Sequence, residues 1–201
     1  MLLAALTLTL CSGRLLLQAN AAAADEIKRL ATLMDWKNGA IVADIGAGDG
    51  RYAFAAIDQL GPAGKIFATE IDNQKLADLQ AQVKKRNLQN VVVLESKEAD
   101  TNLPTACCDA IYLRRVYHHL TKPVEFDLAL LRSLKSGGRL AIVDFAPRSG
   151  LDRVEGVPAN RGGHGIPQKI VIEELTAAGL QLEKVLDDWP EGDYCVLFLK
   201  K

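Results

Sequence analysis

The chain has almost no net charge and no sequence pattern typical of a metal site. Its formal net charge is -1 at pH 7, so it has no broad basic field, and we expect no nucleic-acid partner. The four cysteines show no CxxC or Cys/His ligand spacing, and adjacent Cys107 and Cys108 are too close in sequence for an unstrained bridge. The composition therefore predicts no metal site and no disulfide framework, and it favours a small molecule as binding partner.

The first 24 residues have almost no charge, since Arg14 is the only charged side chain before Asp25. Two interpretations stay open. The segment is either an export signal cleaved near Ala21 or an apolar N-terminal helix packed on the domain. It is too short and interrupted to predict a membrane span. We expect one domain over residues 25–201, and because the cysteines form no framework, a cytoplasmic location. The oligomeric state is left open.

Three glycines dominate the stretch Ile41–Tyr52, IVADIGAGDGRY. An apolar run ends in Asp44, then Gly46, Gly48 and Gly50 alternate before a helical pattern begins, which is typical of a strand, a tight turn and a helix. Glycine removes side chains from the turn and permits positive φ, so that a flat ligand can lie against the backbone. The pattern predicts a binding turn for a dinucleotide or for S-adenosylmethionine.

Apolar strands and amphipathic helices alternate after this turn, which predicts an α/β fold with a doubly wound, mostly parallel sheet. The last two strands have no room for a crossover helix between them, so we expect a hairpin there. The predicted helices are 25–34, 51–60, 73–87, 122–134 and 168–178, and the predicted strands are 41–44, 65–71, 91–94, 109–113, 139–145, 182–186 and 194–199. Residues 146–167 are rich in glycine and lack periodicity, which indicates a lid or binding loop.

Four segments in register carry a family resemblance. VADIGAGDG, ATEID, LPTACCDAIYLRRVYHHL and LKSGGRLAIVDF resemble class I S-adenosylmethionine-dependent methyltransferases, in the branch similar to ubiquinone and menaquinone biosynthesis methyltransferases. The resemblance covers roughly Trp36 to Lys200. It implies a Rossmann-like sheet of seven strands with an antiparallel last strand. It also implies a methyl transfer from S-adenosylmethionine to a small molecule, with S-adenosylhomocysteine as product.

The resemblance also implies roles for individual residues in cofactor binding. Asp44 and the glycine turn would hold the methionine group of the cofactor, Glu70 its ribose, and Asp100 the amine of adenine. Asp72 is a competitor for the ribose, but it falls past the end of its strand. The full set implied to bind the cofactor is Asp44, Gly46, Ala47, Gly48, Gly50, Glu70, Ile71, Ala99, Asp100 and Arg115.

Methyl transfer requires mainly proximity, orientation and loss of a proton from the acceptor. The candidates for the catalytic role are Tyr117, His118 and His119, with Asp144 nearby. A structural role for the histidine pair stays open, and His164 is undecided. Family members often carry an apolar residue and then Asn or Asp where this chain has Arg114 and Arg115, a departure that suggests an anionic group could bind there.

Two other functions remain as alternatives. The arginine pair and the N-terminal segment favour a non-catalytic protein that binds an adenosyl ligand. A nicotinamide-dependent oxidoreductase would use the same type of turn, but it requires GxGxxG, whereas Arg51 follows Gly50 here and the spacing is GxGxG.

Overall fold

Helices and strands alternate along the chain in the computed structural model, which describes residues 2–201, with side chains described from Leu17 onward. The helices are α1 Leu2–Leu33, α2 Arg51–Leu60, α3 Asn73–Lys85, α4 Pro123–Ser133 and α5 Gln168–Ala177. The strands are β1 Ile41–Ile45, β2 Lys65–Glu70, β3 Val91–Glu95, β4 Cys108–Arg114, β5 Leu134–Asp144, β6 Gln181–Leu186 and β7 Tyr194–Leu199.

All seven strands form one sheet in the order β3-β2-β1-β4-β5-β7-β6. Strand β7 is antiparallel to both β5 and β6, whereas the other pairs are parallel. The predicted Rossmann-like fold is therefore confirmed, including the terminal hairpin. The strand order reverses between β1 and β4, and a crevice for ligands opens at the carboxyl ends of the strands at such a point.

Each face of the sheet packs against helices in its own apolar cluster. On one face Ile111 and Leu113 of β4 pack in a cluster that includes residues of α4 and α5. On the other face Ala110 and Tyr112 pack in a cluster that includes residues of α1 and α2. The alternation along β4 follows from the strand period of two, and burial on both faces explains its apolar run.

Two predicted boundaries differ from the structure by more than two residues. Strand β5 begins at Leu134 rather than at residue 139, because the chain through Gly137 and Gly138 pairs with Lys200 by backbone bonds of 2.7 and 2.9 Å. Helix α1 continues through the predicted start at Asp25. Its first buried side chain among those described is Ala23, whereas Leu17 is exposed. Among the residues described, no helix is both long and apolar enough to cross a membrane.

Candidate active site

The turn after β1 places three glycines in the left-handed region, with φ of 70° at Gly46, 57° at Gly48 and 80° at Gly50. A Cβ at Gly46 would lie 2.6 Å from Val116, and one at Gly50 would lie 2.5 Å from Leu79. A Cβ at Gly48 would meet no heavy atom within 4 Å. Two of the glycines are therefore required by packing, whereas Gly48 leaves room for a ligand against the backbone.

Glu70, at the end of β2, ties the turn to the neighbouring strand. Its Oε2 accepts a bond of 2.9 Å from the Gly48 amide, and its Oε1 accepts from the amides of Ile71 and Asp72 at 2.9 and 3.0 Å. Because each carboxylate oxygen can accept two bonds, Oε2 retains capacity for a ligand hydroxyl. Asp72 instead caps α3 by accepting from the amides of Gln74 and Lys75.

Asp44 is a buried carboxyl group on the wall of a pocket beside the turn. Its Oδ2 has no hydrogen-bond partner among the described residues, and the same holds for the hydroxyl of Tyr112 on the neighbouring strand. Burial raises the pKa of Asp44 to about 7, and the negative charge of Glu70 adds to the rise, while the nearby Tyr112 hydroxyl opposes it. A ligand cation at this point would favour the ionised form.

This pocket, of about 360 Å³, is lined by the glycine turn together with Arg114, Arg115 and Glu191. Both arginines are already paired with acids. Arg115 donates to Asp193 at 2.7 and 2.9 Å, and Arg114 donates to Glu26 at 3.0 Å. The pairs leave the arginines at the wall of the pocket but neutralise much of their charge.

A second cavity, of about 230 Å³, meets the first at Gly46. Ile71 lines it, whereas Ala99 and Asp100, the residues predicted to lie beside adenine, do not. The Asp100 carboxylate lies 2.7 Å from Arg132 and accepts from the Asn102 amide. The lining residues are Ile45, Gly46, Ile71, Ser96, Lys97, Glu98, Val116, His119, Leu120, Thr121 and Phe126.

Comparison with known proteins agrees with this arrangement. Residues 43–142 match the family model of a methyltransferase domain. This range contains the glycine turn and the segments after β2 and β4 that line the second cavity. A SAM dependent methyltransferase from Aquifex aeolicus is similar over 88% of this chain and 90% of its own, with 25% identity and a TM-score of 0.74. The chain is a class I S-adenosylmethionine-dependent methyltransferase.

Two further solved structures share the fold of the methyltransferase. The [4+2]-cyclase SpnF has 16% identity and a TM-score of 0.73, over 88% of this chain and 81% of its own. A geranyl diphosphate methyltransferase in complex with SAM has 13% identity and a TM-score of 0.71, over 89% and 85%. At these identities the likeness shows the fold alone.

Tyr117 of the methyltransferase is fully buried and faces away from the cavity. Its hydroxyl donates to Asp127 at 3.0 Å and lies 2.9 Å from Glu174. Arg161 is also buried and bonds Glu174 at 2.9 Å, and it donates to the Tyr117 carbonyl at 3.2 Å. This network anchors the end of the glycine-rich loop to the core, and it favours a structural role for Tyr117.

His118 and His119 lie on a short 3-10 turn after β4 and are joined by His164 from the loop. The ring centroids are 4.0 Å apart for His118 and His119, and 5.3 Å for His118 and His164. His118 is buried and its Nδ1 lies 2.8 Å from the Asp144 carboxylate. Partial desolvation, and after it the charges of His118 and His164, lower the pKa of His119 to about 4.

Sequence reasoning did not assign Glu98 or Glu26 to the site. Lys97 and Asp100 pair across a tight turn, which points residues 96–98 at the cavity and turns Asp100 away. Apolar periodicity gives no signal for such a turn, which moves the acidic side chain at the cavity from Asp100 to Glu98, two positions earlier. Glu26 stands in a helix, where its charge resembles that of any exposed face.

Proposed function

We propose that the methyltransferase acts on a small molecule that enters the second cavity beside His119. The observation that carries this proposal is the size and lining of that cavity, about 230 Å³ with mainly apolar walls from Ile45, Val116 and Phe126. A small apolar cavity with a few polar groups suits a small ligand. The net charge of -1 gives no support to a nucleic-acid acceptor.

We assign the cofactor contacts by position. Asp44 faces the methionine ammonium group, the amides of Ala47 and Gly48 lie beside its carboxylate, and Glu70 accepts from the ribose. Ile71 packs on adenine, and Glu98 or Ser96 replaces Asp100 and Ala99 as its polar neighbour. Adenine and the acceptor therefore share the second cavity, with the acceptor at the His119 side. Arg115 forms part of the wall of the pocket beside the glycine turn, where its ion pair with Asp193 fixes it, and it does not contact the cofactor directly.

Among the three predicted catalytic residues, His119 alone lines the cavity. We therefore assign the contact with the acceptor to His119, and positioning roles to Tyr117 and His118. The lowered pKa of His119 keeps its ring neutral at pH 7, so one ring nitrogen carries a lone pair and the other an N–H. The reaction itself requires alignment of the acceptor with the methyl group and exclusion of water.

We also propose that the protein works in the cytoplasm and that it belongs to the branch similar to ubiquinone and menaquinone biosynthesis methyltransferases. Cys107, Cys108 and Cys195 are free thiols, which supports a reducing compartment and hence the cytoplasm. The acceptor is proposed to resemble the quinone precursors methylated by the ubiquinone and menaquinone branch only in being small and largely apolar. Fractionation of the native host with N-terminal sequencing tests the location, and a secreted form starting at Ala22 would overturn it.

Release of S-adenosylhomocysteine, measured with panels of phenols, thiols and amines and with RNA and protein fractions, tests the acceptor class. We expect turnover with small molecules only. His119→Ala should lower kcat by about 100-fold, a typical loss for a group acting on the acceptor, with cofactor affinity within twofold of the parent. Lys169→Ala, at an exposed position of α5, should change neither. Methylation confined to the RNA or protein fractions would overturn the proposal.

A further inference from the structure

Three histidines from two distant parts of the chain meet next to the second cavity. Each of His118, His119 and His164 offers a ring nitrogen that lies within 4.8 Å of one from each of the others. These are all the histidines of the chain. Imidazole is the common ligand of zinc and of the other late divalent transition metals.

The buried member of this cluster is already oriented for ligation. The Nδ1 of His118 lies 2.8 Å from Oδ1 of Asp144, whose carboxylate can only accept, so Nδ1 carries the proton. The Nε2 of His118 is buried and has no partner among the described residues. A buried polar group without a partner destabilises the native state, so a ligand at this nitrogen would remove that penalty. A carboxylate behind a histidine is the usual outer shell of a metal ligand.

His164 has the corresponding arrangement on the loop. Its Nδ1 lies 2.9 Å from the backbone carbonyl of Asp152, which again places the proton on Nδ1 and a lone pair on Nε2. The glycines on either side of His164, Gly163 and Gly165, have φ of 96° and 85°. A Cβ at Gly165 would lie 2.8 Å from Phe145. The local sequence GGHG therefore brings this ring against the end of β5, where a chain with side chains could not approach.

The three nitrogens, which lie within 4.8 Å of one another, must approach one another to bind one ion. Zinc binds imidazole nitrogen at about 2.0–2.1 Å, so nitrogens in a tetrahedral set lie roughly 3.3 Å apart. Rotation of His119 and His164, which are not fully buried, can supply the difference while His118 stays fixed by Asp144. Each ring has one nitrogen to offer, and three protein ligands leave one position open, as in catalytic rather than structural sites.

We propose that His118, His119 and His164 form a three-histidine site for a divalent late transition metal such as Zn²⁺. Asp144 orients the His118 ring by a hydrogen bond, and the Asp152 carbonyl orients the His164 ring. Because His119 also lines the second cavity, the open position faces the space where the acceptor enters. A part for the metal in methyl transfer would rest on the proposed function, whereas the metal site itself does not depend on any substrate.

Calorimetric titration of tag-free, chelator-treated protein with Zn²⁺, in the absence of cofactor, tests the site directly. We expect one Zn²⁺ per chain and a matching rise in melting temperature, because a ligand of the native state stabilises it. His164→Ala should weaken binding by at least 100-fold. Asp144→Asn should weaken it by about 10–100-fold, the effect typical of an outer-shell partner. Replacement by Co²⁺ should give the visible absorption of a tetrahedral site.

The control variant is Cys107→Ser with Cys108→Ser, which removes the adjacent thiols as competing ligands and should leave Zn²⁺ affinity unchanged. Because His118→Ala removes a buried group and could unfold the chain, His164→Ala on the loop carries the decision. Absence of stoichiometric Zn²⁺ binding would overturn the proposal. So would binding that survives His164→Ala and His119→Ala but is lost in the cysteine variant. Neither result would bear on methyl transfer to a small molecule.

Discussion

Both carboxylate oxygens of Glu26 lie 3.0 Å from the Nε of Arg114. The same carboxylate accepts from the indole of Trp189 at 2.8 Å and from the hydroxyl of Tyr52 at 3.1 Å. Glu26 is 4% exposed and Arg114 14%. Helix α1 is thus joined to the end of β4 at the wall of the pocket beside the glycine turn, and Glu26 positions Arg114 there.

Replacement of Glu26 by Gln should lower the free energy of unfolding by about 3 kcal/mol, because loss of one partner leaves the other charge buried. The matched control is Glu191→Gln, which removes an exposed partner of the same arginine at 3.3 Å and should cost about 1 kcal/mol or less. Urea denaturation measures both. Equal effects would show that Glu26 is not the main partner of Arg114.

Cofactor affinity should depend on pH through Asp44. Its pKa is about 7 in the free protein because the group is buried, and the cofactor's ammonium group binds best to the ionised form. Below pH 7 binding must therefore remove a proton, and affinity for S-adenosylhomocysteine should fall by about tenfold per pH unit. Above pH 7 the affinity should level off.

Asp44→Asn keeps the shape of this group without its charge. Its affinity should be lower than that of the parent by roughly 1–3 kcal/mol at pH 8 and should lose most of the dependence between pH 5 and 7. A parent protein whose affinity is flat over that range would show that Asp44 does not meet the ammonium group.

Gly48→Ala should separate folding from cofactor binding. The substitution costs roughly 1–2 kcal/mol of stability, because alanine is strained in the left-handed region, but its Cβ meets nothing in the free protein. It would instead occupy the space of the cofactor and lower affinity by at least tenfold. Gly137→Ala, at φ 77° with equally open surroundings, is the control and should show the same cost in stability with unchanged binding.

The fold could be predicted because its signals are local. The bounds of α2 and β7 follow from apolar periodicity, and the end of α2 also follows from the helix-breaking pair Gly61-Pro62. The antiparallel hairpin follows from the short connection between β6 and β7. The turn Gly46–Gly50 indicates a ligand site, because three glycines in one turn are rarely needed for structure alone.

The site could be predicted only where a side chain lies next to a strand end. Glu70 and Asp72 differ in the structure as their positions indicate, but the choice between Glu98 and Asp100 depends on a turn that periodicity does not encode. Tyr117, His118 and His119 all lie just beyond the end of β4, which makes each a candidate, but a 3-10 turn sends their side chains in different directions. The meeting of His164 with His118 spans 46 positions and is a property of the tertiary fold alone.

Calorimetric titration of the parent, Glu70→Ala and Asp72→Ala with S-adenosylhomocysteine measures how much Glu70 contributes to cofactor binding. Glu70 spans the turn and the expected ribose position, whereas Asp72 only caps α3. Binding of the ribose by Glu70 predicts one site per chain in the parent, a loss of roughly 1–3 kcal/mol for Glu70→Ala, and affinity within twofold of the parent for Asp72→Ala. Equal binding by the parent and Glu70→Ala, or a parent that binds NAD and not S-adenosylhomocysteine, would contradict it.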